Sequence, residues 1–128
     1  MKILIVEDNS DMRDLVCLIL ERLFYVPVRA SHGREGLEKA ITEKPQLILM
    51  DMMMPVMDGW KAAKALRANP ETKNIPILAT TALFRSHELK TCLEAGCNDY
   101  IVKPFSSLDL QTKIGELLGT SSEQLRFN

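Results

Sequence analysis

The sequence predicts an α/β domain built on a parallel sheet with helices on both faces. Short, almost wholly apolar runs recur along the chain, among them Ile3-Leu4-Ile5-Val6, Leu47-Ile48-Leu49-Met50 and Ile77-Leu78-Ala79. Runs of this length without polar alternation read as strands buried on both sides. Between them lie stretches whose apolar residues recur at helical spacing. Strand and helix in regular alternation give parallel strands joined by right-handed crossovers. A chain of 128 residues suits one domain.

Strand one covers Lys2 to Val6 and stops at Glu7-Asp8; Asn9, Ser10 and Asp11 then offer caps for a helix. That helix places Met12, Leu15, Val16, Ile19, Leu20 and Leu23 on its inner face. Tyr25 to Ala30 is strand two, marked as an edge by Pro27. Helix two runs from Arg34 to Glu43 with Leu37, Ala40 and Ile41 inward, and Lys44-Pro45 stops it. Strand three is Leu47 to Met50, followed by Asp51 and a loop punctuated by Pro55 and Gly59. Helix three spans Gly59 to Ala68, with Trp60, Ala63 and Leu66 on one face. After a polar loop come strand four, Ile77 to Thr80, and helix four, Phe84 to Ala95, closed by Gly96. Strand five is Asp99 to Val102, ending at Lys103-Pro104, and the last helix runs from Leu108 to Leu118 behind a Ser106 or Ser107 cap. The domain is thus expected over residues 1–118, with 119–128 as a tail of little pattern.

Composition excludes several function classes. With Lys+Arg 16 against Asp+Glu 17, the net charge is −1, unlike the basic footprint of a nucleic-acid binder. The N-terminal apolar run meets an acid after four residues, so it is not a signal peptide, and no apolar stretch approaches a membrane span. Cys17, Cys92 and Cys97 are odd in number and form no CxxC pair, so a zinc site or disulfide framework is not expected. They read as small apolar fillers in a reducing cytoplasm.

The chemistry lies at the strand ends. Strands one, three, four and five stop at Glu7 and Asp8, at Asp51, at Thr80 and Thr81, and at Lys103. In a parallel sheet these ends share one edge, where ligands of open α/β folds bind. Converging carboxylates repel one another and call for a cation. An all-oxygen site of few protein ligands suits Mg²⁺, which keeps several waters and favours a partner phosphate. A lysine and a threonine hydroxyl can bind phosphoryl oxygens, and phosphoryl transfer demands mostly positioning and charge neutralisation.

These residues resemble the receiver domain of two-component response regulators. The resemblance rests on Glu7-Asp8, Asp51, Met54-Pro55-Val56-Met57-Asp58-Gly59, Thr81-Ala82 and Lys103-Pro104-Phe105, in that order, and covers residues 1–118. It implies a flavodoxin-like (βα)₅ fold with strand order 2-1-3-4-5. By this resemblance Asp51 is the phosphoacceptor, supplied by a histidine kinase or a histidine phosphotransfer protein. Asp8 and Asp51 would ligate Mg²⁺ directly, Glu7 through water, and the Met53 main-chain carbonyl would complete the protein's share. Lys103 would pair with Asp51 and then with the phosphoryl group, across a cis Lys103-Pro104 bond. Thr81 would be the switch hydroxyl and Tyr100 the switch aromatic, changing the face made by helix four, strand five and helix five that a downstream effector reads.

The chain departs from the polar form of the family pattern at Met53 and Leu83, both apolar; by the resemblance they flank the path of the hydrolytic water and would lengthen the phosphoryl lifetime, while the run Met52-Met53-Met54 also reads, with somewhat more weight, as plain gap-filling. Other readings fare worse. An aspartate-nucleophile hydrolase of the haloacid dehalogenase type wants an acid at position 53. A nucleotide or flavin domain wants a glycine-rich cradle where Glu7-Asp8-Asn9-Ser10 stands. A degenerate receiver, acting only as an interaction module, would lack one of Glu7, Asp8, Asp51 or Lys103. The expectation is therefore a phosphorylation-controlled signalling module rather than an enzyme acting on outside substrates. Its kinase, its target and dimerisation on phosphorylation are left open by the sequence.

Overall fold

A computed structural model describes residues 1–52, 59–82 and 86–119, with residues 86–89 described in backbone only. Five strands alternate with five helices: β1 Lys2–Val6, α1 Ser10–Arg22, β2 Val26–Ala30, α2 Gly33–Glu43, β3 Leu47–Asp51, α3 Gly59–Ala68, β4 Ile77–Thr81, α4 Ser86–Glu94, β5 Asp99–Val102 and α5 Ser107–Leu117. All strand pairs are parallel and the order is β2-β1-β3-β4-β5, as the family resemblance implies.

Residues of β1, β3 and β4 alternate between two cores. Leu4, Val6, Ile48, Met50 and Ala79 pack under α2, α3 and α4, with Ala40, Ala63, Leu66 and Cys92. Ile3, Ile5, Leu49, Leu78 and Ile101 pack under α1 and α5, with Val16, Leu20, Leu110 and Ile114. This two-sided burial is why the strands read as continuous apolar runs. Gly36 lets α2 approach β1: a Cβ there would stand 2.7 Å from Val6 Cγ2.

Strands β3 and β4 each reach one residue further than expected from the sequence, so Asp51 and Thr81 are strand residues rather than the first residues of loops. The inner face of α1 also differs from expectation. Leu15 is 52% exposed and Leu18 is exposed, while Cys17 is fully buried; the small cysteine, not Leu15, meets the core beside Val16 and Leu20. Helix caps follow the local chemistry. Asn9 caps α1, His32 caps α2, and Ser106 with Asp109 forms a reciprocal capping box on α5. No helix among the described residues is long and apolar enough to cross a membrane.

Candidate functional site

The carboxyl edge of the sheet gathers the polar strand ends. Glu7 and Asp51 are buried, at 3% and 5% exposure, while Asp8 faces solvent. Each offers a carboxylate oxygen, and the three atoms lie within 4.8 Å of one another. The cation among them is Lys103, whose Nζ stands 2.7 Å from Glu7 Oε1 and 3.6 Å from Asp51 Oδ1. Lys103 is therefore shared by both buried acids and lies closer to Glu7, whereas the sequence suggested a pair with Asp51. Burial acts to raise the Glu7 pKa, but hydrogen bonds with Asp51 and Lys103 and the charge of Lys103 outweigh it, so its carboxyl sits below its ordinary value. The Asn9 main-chain N–H also donates to Glu7 Oε2 at 3.3 Å, and Arg13 donates to the Glu7 carbonyl at 2.8 Å.

The backbone holds these side chains in place. Met52 N–H donates to Thr80 O at 3.1 Å and Lys103 N–H to Thr81 O at 2.8 Å, tying the three strand ends together. Gly59 N–H donates to Met52 O at 3.2 Å, and a Cβ on Gly59 would lie 2.5 Å from Met52 Cα and 2.7 Å from Asp51 O. A glycine is required there because the start of α3 passes against the strand end that carries Asp51. The Lys103–Pro104 peptide is cis, as the resemblance implies.

The threonines divide between the two faces. Register places Thr80 directly across from Asp51, while Thr81 pairs with Val102. Thr81 is 2% exposed. Tyr100 is half-buried on β5, and Lys113 lies 5.8 Å from its ring centroid while bonding Asp99 at 2.9 Å. Met53, with the rest of residues 53–58, and Leu83 lie outside the described residues, as do 120–128.

Periodicity did not single out Arg67. It donates to Gly96 O at 2.8 Å, to Lys73 O at 2.9 Å, to Ile75 O at 2.7 Å and to Asn98 Oδ1 at 2.6 Å. One guanidinium thus ties the ends of α3 and α4 to the starts of β4 and β5.

Comparisons with known proteins agree with this architecture. The family model described as "Response regulator receiver domain" matches residues 3–115. The chemotaxis protein CheY1 of Helicobacter pylori is 40% identical over 123 residues, covering 94% of this chain and 99% of that protein. The alkaline phosphatase synthesis transcriptional regulatory protein PhoP of Bacillus subtilis is 39% identical over 120 residues, or 94% of this chain but 49% of that protein. The chain thus spans about half the length of some curated relatives it matches and nearly the whole of others. Among solved structures, the receiver domain of a Pseudomonas aeruginosa sensor histidine kinase superposes with a TM-score of 0.87 at 34% identity, covering 93% of this chain and 98% of that one. That structure has a magnesium ion coordinated in its active-site cleft. The chain belongs to the receiver domains of two-component response regulators. Receiver domains are phosphoacceptors rather than enzymes turning over an outside substrate.

Proposed function

We propose that Asp51 accepts a phosphoryl group from a phosphohistidine donor, with Mg²⁺ held by Asp8 and Asp51, by Glu7 through water and by the Met53 carbonyl. The observation that carries this reading is one buried carboxylate at the end of the central strand, within 4.8 Å of two more acids and 3.6 Å from a lysine. A clustered, all-oxygen donor set of this kind fits Mg²⁺. When bound, the metal neutralises charge on the phosphoryl oxygens. An Asp51 carboxylate oxygen attacks phosphorus, the phosphorus–nitrogen bond of the donor breaks, and the imidazole leaves with the bonding electrons. Lys103 then exchanges its carboxylate contacts for a phosphoryl oxygen, and the Thr81 hydroxyl donates to another.

Two surfaces support partner binding. A groove of about 370 Å³ lined by Glu7, Asn9, Asp11, Met12, Leu15 and Lys103 opens onto the acids. With the exposed Leu18 one turn on, it offers the donor an apolar landing beside the phosphoacceptor. A second groove of about 380 Å³ runs between β5 and α5, past Tyr100, Leu108, Thr112 and Lys113. That groove belongs to the face of α4, β5 and α5 on which a downstream effector would read the switch of Thr81 and Tyr100.

The deciding experiment is incubation with acetyl phosphate and Mg²⁺, followed by intact mass measurement. A Mg²⁺-dependent, base-labile gain of one phosphoryl group, absent in Asp51→Asn, is the expected result. No gain from acetyl phosphate or a phosphohistidine donor would instead leave a phosphorylation-independent interaction module.

A further inference from the structure

A small cavity lies beneath the acid cluster, on the side of the sheet covered by α1 and α5. Its walls are mostly apolar, from Val16, Leu49 and Phe105 among others, and its polar groups belong to Glu7, Thr80 and Lys103. It leaves about 10 Å³ for the centre of a water molecule, which is room for one. Thr80 stands across from Asp51 and beside Ile101 in the sheet register. Side chains alternate along a strand, so Thr80 shares the face of Leu78, toward α1 and α5, and Thr81 turns to the other. Thr80 is 7% exposed as a residue, and its hydroxyl stands at a mostly apolar wall, where a hydrogen-bonded water favours it. Valine would satisfy the strand and the apolar walls equally well, so it is the hydroxyl, not the shape, that needs a reason.

Lys103 supplies that reason. Its ammonium has three N–H donors, and Glu7 and Asp51 lie in two of their directions. We propose that one buried water in this cavity bridges the Thr80 hydroxyl and the Lys103 ammonium, making Thr80 a positioning residue for Lys103. The water would accept from Lys103 and exchange a hydrogen bond with Thr80, so the ammonium stays aimed at the phosphoacceptor when its contact with Glu7 is given up. The effect on phosphorylation rests on the phosphoacceptor reading of Asp51; the water bridge does not.

Crystal structures of the unmodified protein and of Thr80→Val, at a resolution that reveals ordered water, test the bridge. A water within hydrogen-bond distance of Thr80 Oγ1 and Lys103 Nζ is expected in the first and not in the second. Phosphorylation by acetyl phosphate should slow about tenfold in Thr80→Val, with Mg²⁺ affinity, followed by Trp60 fluorescence, unchanged. Thr80→Ser, which keeps the hydroxyl, should restore the rate. A dry cavity in the unmodified protein, a Thr80→Val rate equal to wild type, or a Thr80→Ser rate as slow as that of Thr80→Val would each overturn the proposal. An unmodified protein that holds the water yet takes up no phosphoryl group would sustain the bridge and remove the phosphoacceptor reading instead.

Discussion

Phe24 ends α1 in a position most chains give to glycine. Tyr25 N–H donates to Leu20 O at 2.9 Å and Phe24 N–H to Glu21 O at 3.0 Å, the paired bonds of a Schellman motif. Phe24 takes the left-handed residue of that motif, with φ of 68°, and leaves its ring 81% exposed. A bulky side chain at positive φ costs about 1–2 kcal/mol, and an exposed ring returns little through burial. Replacing Phe24 by glycine removes the strain at a smaller cost in chain entropy, so Phe24→Gly should stabilise the fold by about 1 kcal/mol. Urea unfolding of both proteins would check this; a loss of stability would mean that the ring makes contacts worth more than the strain.

At the scale of the element, α2 shows how charge fixes a helix start. Glu35 reaches back to the Ser31 N–H at 2.6 Å, while His32 Nδ1 accepts from the Glu35 N–H at 3.2 Å. The Ser31 hydrogen bond, then the charge of Lys39, hold the Glu35 carboxyl below its ordinary 4.5 against the opposing pull of burial. A carboxylate with a lowered pKa adds stability that is present above its unfolded pKa and is lost as pH falls through the folded one. Glu35→Gln should therefore melt lower than wild type at pH 7, and the gap should shrink as pH falls below the ordinary value of 4.5. A gap independent of pH would show that the amide loses shape rather than charge. The edge strand β2 is protected in a different way. Val26 N–H donates inward to Met1 O, so the next residue, Pro27, presents an outward position with no N–H to offer. The outward carbonyl of Arg29 is taken by Lys39.

At the scale of the whole molecule, Arg67 spans what the sheet alone leaves loose. Its guanidinium satisfies three carbonyls and Asn98 Oδ1, and the same oxygen accepts from Ile77 N–H at 2.9 Å. Arg67→Ala should destabilise the protein by about 3 kcal/mol, since several carbonyls lose a charged donor at once. Arg67→Lys should recover little, because an ammonium cannot fork to both loops. Guanidinium titrations of the two variants would decide, and near wild-type stability of either would remove Arg67 as the clamp. Strand order followed from the family likeness, but the parallel sheet and the meeting of Glu7, Asp51 and Lys103 were legible in the residues, because apolar strands alternating with helices run parallel and parallel strands end together. What Arg67 binds was not legible, since its acceptors are main-chain carbonyls and an asparagine up to 31 positions away, which leave no periodic trace. The outward turn of Leu15 escaped for a related reason: helical spacing defines a stripe but not which edge of it the sheet will cover.

The three cysteines carry a practical consequence. Cys17, Cys92 and Cys97 are all buried, and burial pushes the Cys97 thiol up to about 12. Alkylation proceeds through the thiolate, so none of the three competes for a maleimide while the protein stays folded. A cysteine introduced at Thr112, exposed on α5 beside the groove of Tyr100 and Lys113, would take a fluorophore at that one position. The natural thiols could remain, and the dye would sit where an arriving partner changes its surroundings.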